Sequence, residues 1–119
     1  MARLSKNELL DLASHLVRLH EKRTGRKAEN VVVSRLQAYK TGGKNHYVIE
    51  VEVDGTLYTL QIRCKEHRDY CAASLFIDGL WASECADYCT DEIGPMLDEI
   101  LNKYVTNIEG GKFGRGESK

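Results

Sequence analysis

The residues best equipped for chemistry in this chain fall in one stretch: Cys64, His67, Cys71, Cys85 and Cys89. Thiolates and imidazoles are the ligands zinc prefers, four at a time in a tetrahedron, usually supplied as two closely spaced pairs. The order Cys-x2-His-x3-Cys-x13-Cys-x3-Cys permits such a site. Cys85 and Cys89 would stand one turn apart on a helix, and Cys64 with His67 or Cys71 would complete the set. Neither cysteine pair has the tight C-x2-C form of a zinc knuckle. The plainer reading is a pair of core thiols, because free cysteine packs as a small buried hydrophobe. A nucleophilic thiol would need a base or a positive field to lower its pKa. His67 within "KEHR" is the nearest source, but it sits in a polar loop with no glycine turn to bind an oxyanion. The sequence therefore favours no enzyme activity and no cofactor, with zinc on these five residues as the alternative.

Charge offers the next candidates. Residues 1–49 hold ten Lys/Arg against four Asp/Glu, whereas residues 50–109 hold four against thirteen. The basic half includes Arg23, Arg26, Lys27, Lys40 and Lys44, residue types that hold phosphates in a nucleic-acid module. The acidic half includes Asp87, Asp91 and Asp98, which suit docking onto a basic protein surface and would steer association. With a net charge of −1, the molecule as a whole is no electrostatic nucleic-acid binder. "TGGK" and "EGGK" lack the spacing of a phosphate-binding loop.

Those residues must be positioned by secondary structure, and the chain is explicit about most of it. Ser5 and Glu8 form a capping box, and Leu9, Leu12, Ala13, Leu16 and Val17 recur at helical spacing until Thr24-Gly25. Four strand-like segments follow: "ENVVVSRLQAYK", "HYVIEVEV", "TLYTLQIRC" and "CAASLFI". A loop at 41–45 joins the first two, and the Asp54-Gly55 pair is a strong two-residue hairpin signal. That turn pairs Val53 with Thr56, Val51 with Tyr58, Ile49 with Leu60 and Tyr47 with Ile62. Extending it pairs Cys64 with Cys71 and Leu60 with Leu75, so one face is continuously apolar. Val32, Leu36 and Ala38 join that face if Leu36 meets Ile49.

The other face then carries Val31, Val33, Arg35, Tyr39, His46, Val48, Glu50, Arg63, Ala72 and Phe76, with Arg35 able to pair with Glu50 across strands. After the second Asp-Gly pair, Trp81 reads as a lid on the core edge, and Ser83 caps a short helical segment over 84–89. Ile93, Met96, Leu97, Ile100, Leu101, Tyr104 and Val105 mark a closing amphipathic helix.

The expected architecture is an α+β two-layer sandwich, α-β-β-β-β-α: a four-stranded antiparallel meander with N- and C-terminal helices on one face. Residues 1–108 form one domain and 109–119 a flexible Gly-rich tail. No apolar run reaches the length of a membrane span or a recognisable signal. The chain is therefore expected to be cytoplasmic, with four reduced thiols. On this reading it is a small intracellular binding protein, an inhibitor, adaptor or regulatory subunit, and a possible homo-oligomer. Its partner-binding residues are Tyr39, His46, Val48 and Phe76 on the uncovered sheet face, with Asp87, Asp91 and Asp98. The alternative is a nucleic-acid-associated module using the five basic residues.

Overall fold

The computed structural model describes residues 4–65, 70–89 and 99. Helix α1 spans Lys6–Thr24 and begins as its sequence requires. Glu8 N–H donates to Ser5 Oγ (3.1 Å), and Ser5 N–H donates to Glu8 Oε1 (2.7 Å). It ends on Gly25 in the left-handed region (φ 71°), whose N–H reaches Glu21 O at 2.8 Å. Leu9, Leu12, Ala13, Leu16, Leu19 and His20 form its buried face.

Five strands follow in an antiparallel meander of order β1-β2-β3-β4-β5: β1 Val31–Thr41, β2 Lys44–Val53, β3 Thr56–Lys65, β4 Tyr70–Ile77 and β5 Leu80–Cys89. The register set by Asp54-Gly55 holds throughout β2 and β3, and Cys64 stands opposite Cys71 in the next ladder. The centre of the face toward α1 is sealed: Ile49, Val51, Leu60 and Leu75 expose none of their surface. At roughly 1.5–3 kcal/mol for each fully buried large aliphatic side chain, this face supplies the main driving force for the fold.

The structure corrects several expectations. Among the described residues the sheet has five strands rather than four, because 84–89 is strand and not helix. Asp78 and Gly79 both take positive φ (52° and 83°), the geometry that folds a strand straight back on its neighbour. The returning segment then pairs Leu80 with Ile77 and Trp81 with Phe76. That ladder satisfies the backbone at once, whereas a six-residue helix would have to meet its own nucleation cost. The loop expected at 41–45 is a two-residue turn at Gly42-Gly43, with Thr41 opposite Lys44. A bulge between Val33 and Arg35 shifts the first strand, so Val31 and Val33, not Val32, pair with the core-facing Val53 and Val51. The expected closing helix falls almost wholly outside the described residues, within which Glu99 is helical. Among the described residues α1 is the one helix, so the two-helix sandwich is shown only as helix on sheet. No described helix is long and apolar enough to cross a membrane.

The expectation of four reduced thiols fails at one pair. Cys64 and Cys71 are joined by a disulfide across β3 and β4. Directly opposed cysteines on one face of an antiparallel ladder lie within reach of each other, here with Cα atoms 4.1 Å apart. Both sulfurs are buried with the core.

Candidate functional site

The face of the sheet turned away from α1 gathers four of the residues expected there. Tyr39 lies opposite His46, and their rings stack at 4.8 Å with planes 6° apart. Thr41 Oγ1 holds the far side of the imidazole, 3.0 Å from His46 Nε2. Val48 follows on the same face of β2, opposite Gln61. Phe76 comes from β4 at the diagonally opposite corner, paired with Trp81 on β5. Trp81 is 54% exposed, so it is no lid on the core; its Nε1 donates to Glu84 Oε1 at 3.4 Å. Val48, Gln61, Thr59 and Ser74 lie between the two aromatic corners, with Thr59 and Ser74 already buried, and two charged residues share the face, Arg63 opposite His46 and Glu50 opposite Thr59. Arg35 and Glu50 pair at 3.4 Å, as the cross-strand spacing requires.

The other predicted residues are dispersed. Arg23, Arg26 and Lys27 lie at the C-terminal end of α1, near the β2–β3 turn. Lys40 and Lys44 flank the Gly42-Gly43 turn, at the opposite end of β1. At about 3.3 Å per residue, the length of β1 separates the two groups by roughly 30 Å, so they make no single patch. Asp87 is in strand β5; Asp91 and Asp98 lie outside the described residues, as does His67. Cys89 pairs in register with Tyr70, next to Cys71, while Cys85 stands opposite Ala73. The helical i, i+4 arrangement that would have presented both to a metal is gone. With the Cys64 and Cys71 sulfurs bonded to each other, neither is a thiolate ligand. Among the described residues no group of three His, Cys, Asp or Glu could hold a metal ion.

A second constellation went unread in the sequence. His20 is buried in the last turns of α1, with Nδ1 2.8 Å from Tyr58 Oη and Nε2 3.6 Å from Asp54 Oδ2. Arg23 Nη1 donates to the same phenol oxygen at 2.6 Å. Asp54 occupies the first position of the β2–β3 turn and accepts from the N–H groups of Asn30 (2.8 Å) and Glu29 (3.2 Å). These contacts hold its carboxyl below the ordinary value of 3.8. The Asn30 N–H is the largest cause, partly opposed by desolvation, with Glu29 N–H, His20 and Arg26 adding to the lowering. With the imidazole proton on Nε2, hydrogen bonding runs one way: Arg23 to Tyr58, Tyr58 to His20, His20 toward Asp54.

A cavity of about 690 Å³ opens beside this chain, lined by His20, Arg26, Lys27, Asn30, Asp54 and Thr56 among others. The phenol cannot act on anything held there, because Tyr58 exposes none of its surface. His20 has both nitrogens directed at protein partners. The network is a clamp that ties α1, the α1–β1 link and the β2–β3 turn together. The sequence did carry a signal for it. His20 falls four residues after Leu16, a titratable group on a face otherwise given over to apolar side chains. Tyr58 likewise brings the one hydroxyl among the central core-facing positions of β3.

No protein family, curated protein or solved structure matches this chain.

Proposed function

We propose that this is a binding protein rather than a catalyst, and that it docks another protein on the sheet face turned away from α1. The observation that supports this reading is the pair of aromatic corners on that face, Tyr39 with His46 and Phe76 with Trp81. Tryptophan and tyrosine are among the side chains that most often dominate binding energy at protein interfaces. Tyr39 is 41% and Trp81 54% exposed, so neither is needed to fill the core. The partner that fits is a protein offering apolar side chains to these exposed rings. The acidic residues Asp87, Asp91 and Asp98 in the second half of the chain would favour a partner with a basic surface, wherever they lie relative to that face.

The test is an affinity capture from the native host with parent protein and a Tyr39→Ala/Trp81→Ala double variant, each analysed by mass spectrometry. Both substitutions remove exposed rings, so the variant should melt like the parent while losing its specific partner. Retention of every partner by the double variant would sink the assignment to this face.

A further inference from the structure

Strand β1 is an edge of the sheet, and its first residues leave an apolar margin uncovered. Val31 and Val33 pair with Val53 and Val51, on the side of the sheet where α1 lies. The helix does not cover them: they are 45% and 41% exposed, and Val32 on the opposite side is 56% exposed. A β-branched run at an open edge is a ready template for another strand.

The direction of the backbone groups can be read from Asn30. Its carbonyl accepts from Asp54 N–H and its own N–H donates to Asp54 Oδ1, both at 2.8 Å. Both main-chain groups of Asn30 therefore point inward, toward the β2–β3 turn. Along an antiparallel strand that direction alternates with each residue. Val31 and Val33 accordingly aim their N–H and C=O groups outward from the edge.

We infer that this edge pairs with a second copy of itself, antiparallel, about a two-fold axis through Val32. In that register Val31 of one copy faces Val33 of the other, and the two outward-directed residues exchange both hydrogen bonds. Val32 meets its own symmetry mate, and Asn30 meets Ser34. Residues 30–34 contain no charged side chain, so no like charges are brought together. Arg35 lies beyond the segment, on the far side of the bulge that interrupts the β1–β2 pairing after Val33, and is engaged by Glu50. The segment is its own complement when reversed, which favours a second copy over a foreign strand. The resulting contact is isologous and closes at two chains. Only a few residues per copy take part, so the dimer is weak and dissociates on dilution. This contact uses the edge of the sheet and is independent of docking on the outer face.

Sedimentation equilibrium over a concentration series tests it. The parent should show a monomer–dimer equilibrium, and Val32→Lys should weaken dimerisation by roughly tenfold or more, because two ammonium groups then meet at the axis. Val32 is exposed, so that variant should melt as the parent does at concentrations where both are monomers. A Val32→Cys variant should form a covalent dimer on mild oxidation, since facing residues of this pair type lie about 4.5 Å apart at Cα. Gln37→Cys, off the axis, should give no more crosslinked dimer than the parent. Two results overturn the proposal: a parent that stays monomeric up to millimolar concentration, or a dimer that survives Val32→Lys. Loss of that dimer in the Tyr39→Ala/Trp81→Ala variant, with none in Val32→Lys, would assign association to the outer face instead.

Discussion

At Asp54-Gly55 and again at Asp78-Gly79, an aspartate in the left-handed region folds one strand onto the next and reaches across to a third. Asp54 N–H donates to Asn30 O, and its carboxylate accepts from Asn30 N–H, both at 2.8 Å. Asp78 does the same to Leu57, at 2.7 Å and 3.0 Å. The backbone angles match closely, 49° and 52° at the aspartates, 90° and 83° at the glycines. Beyond this shared device the two diverge. Asp54 also takes Glu29 N–H and faces His20, which leads on to Tyr58 and Arg23. The shared part is what an Asp-Gly turn does wherever it joins two strands of a wider sheet. The additional part exists only where α1 ends above the turn, and it fastens the helix to the sheet.

The comparison breaks most readily at Tyr58. Tyr58→Phe preserves the ring in the core and removes the oxygen that Arg23 and His20 share. A buried polar group deprived of its partner costs about 1–3 kcal/mol, so urea unfolding should show a loss of that size with an unchanged m-value. A loss of a few tenths would mean that the clamp adds nothing beyond the turn itself.

The glycines come next and should sharpen the likeness. A Cβ at Gly55 or Gly79 meets nothing within 4 Å, so Gly→Ala at either site is opposed by positive φ alone. Each should cost about 1 kcal/mol, and the two should agree in parallel denaturation curves. A clear inequality would show that the turns are not equivalent in backbone strain.

Much of this comparison was open to inspection in the sequence, and the part that was not has a physical reason. The two Asp-Gly pairs, the capping box and the period-two alternation of β2 and β3 are local signals, decided by residues a few positions apart. They gave the register from Tyr47 to Ile77 correctly. The fifth strand is hidden in the sequence because Ser83 and the acidic residues after it resemble a helix start, and the ladder that overrides them lies across β4. The bulge after Val33 leaves no mark in the residue pattern, and plain period-two alternation places Val32 on the wrong face. The clamp joins positions up to 38 residues apart, and no spacing rule connects a helix histidine with a strand tyrosine. For the candidate interface, strand parity sufficed to put Tyr39, His46, Val48 and Phe76 on one face. It could not show that Trp81 joins them.

The smallest effect separates the two carboxylates themselves. Asp78 uses one oxygen, toward Leu57 N–H, and Asn at that position still offers an acceptor. Asp54 uses both oxygens toward Glu29 and Asn30 N–H groups and also faces His20. Asn there must turn an NH2 group toward other donors. At neutral pH, Asp54→Asn should therefore lower the melting temperature more than Asp78→Asn does. Acid should then erase the gap between the parent and Asp54→Asn. The Asp54 carboxyl titrates below its ordinary value of 3.8 in the folded protein, chiefly because Asn30 N–H binds the charged form. Such a group adds stability that is fully present above the unfolded pKa and is lost as pH falls through the lower, folded value. Melting curves from pH 7 downward should show the parent approaching the variant only below about pH 4. A gap that stays constant into strong acid would mean the backbone amides do not select the carboxylate, and the two turns would then differ only in their neighbours.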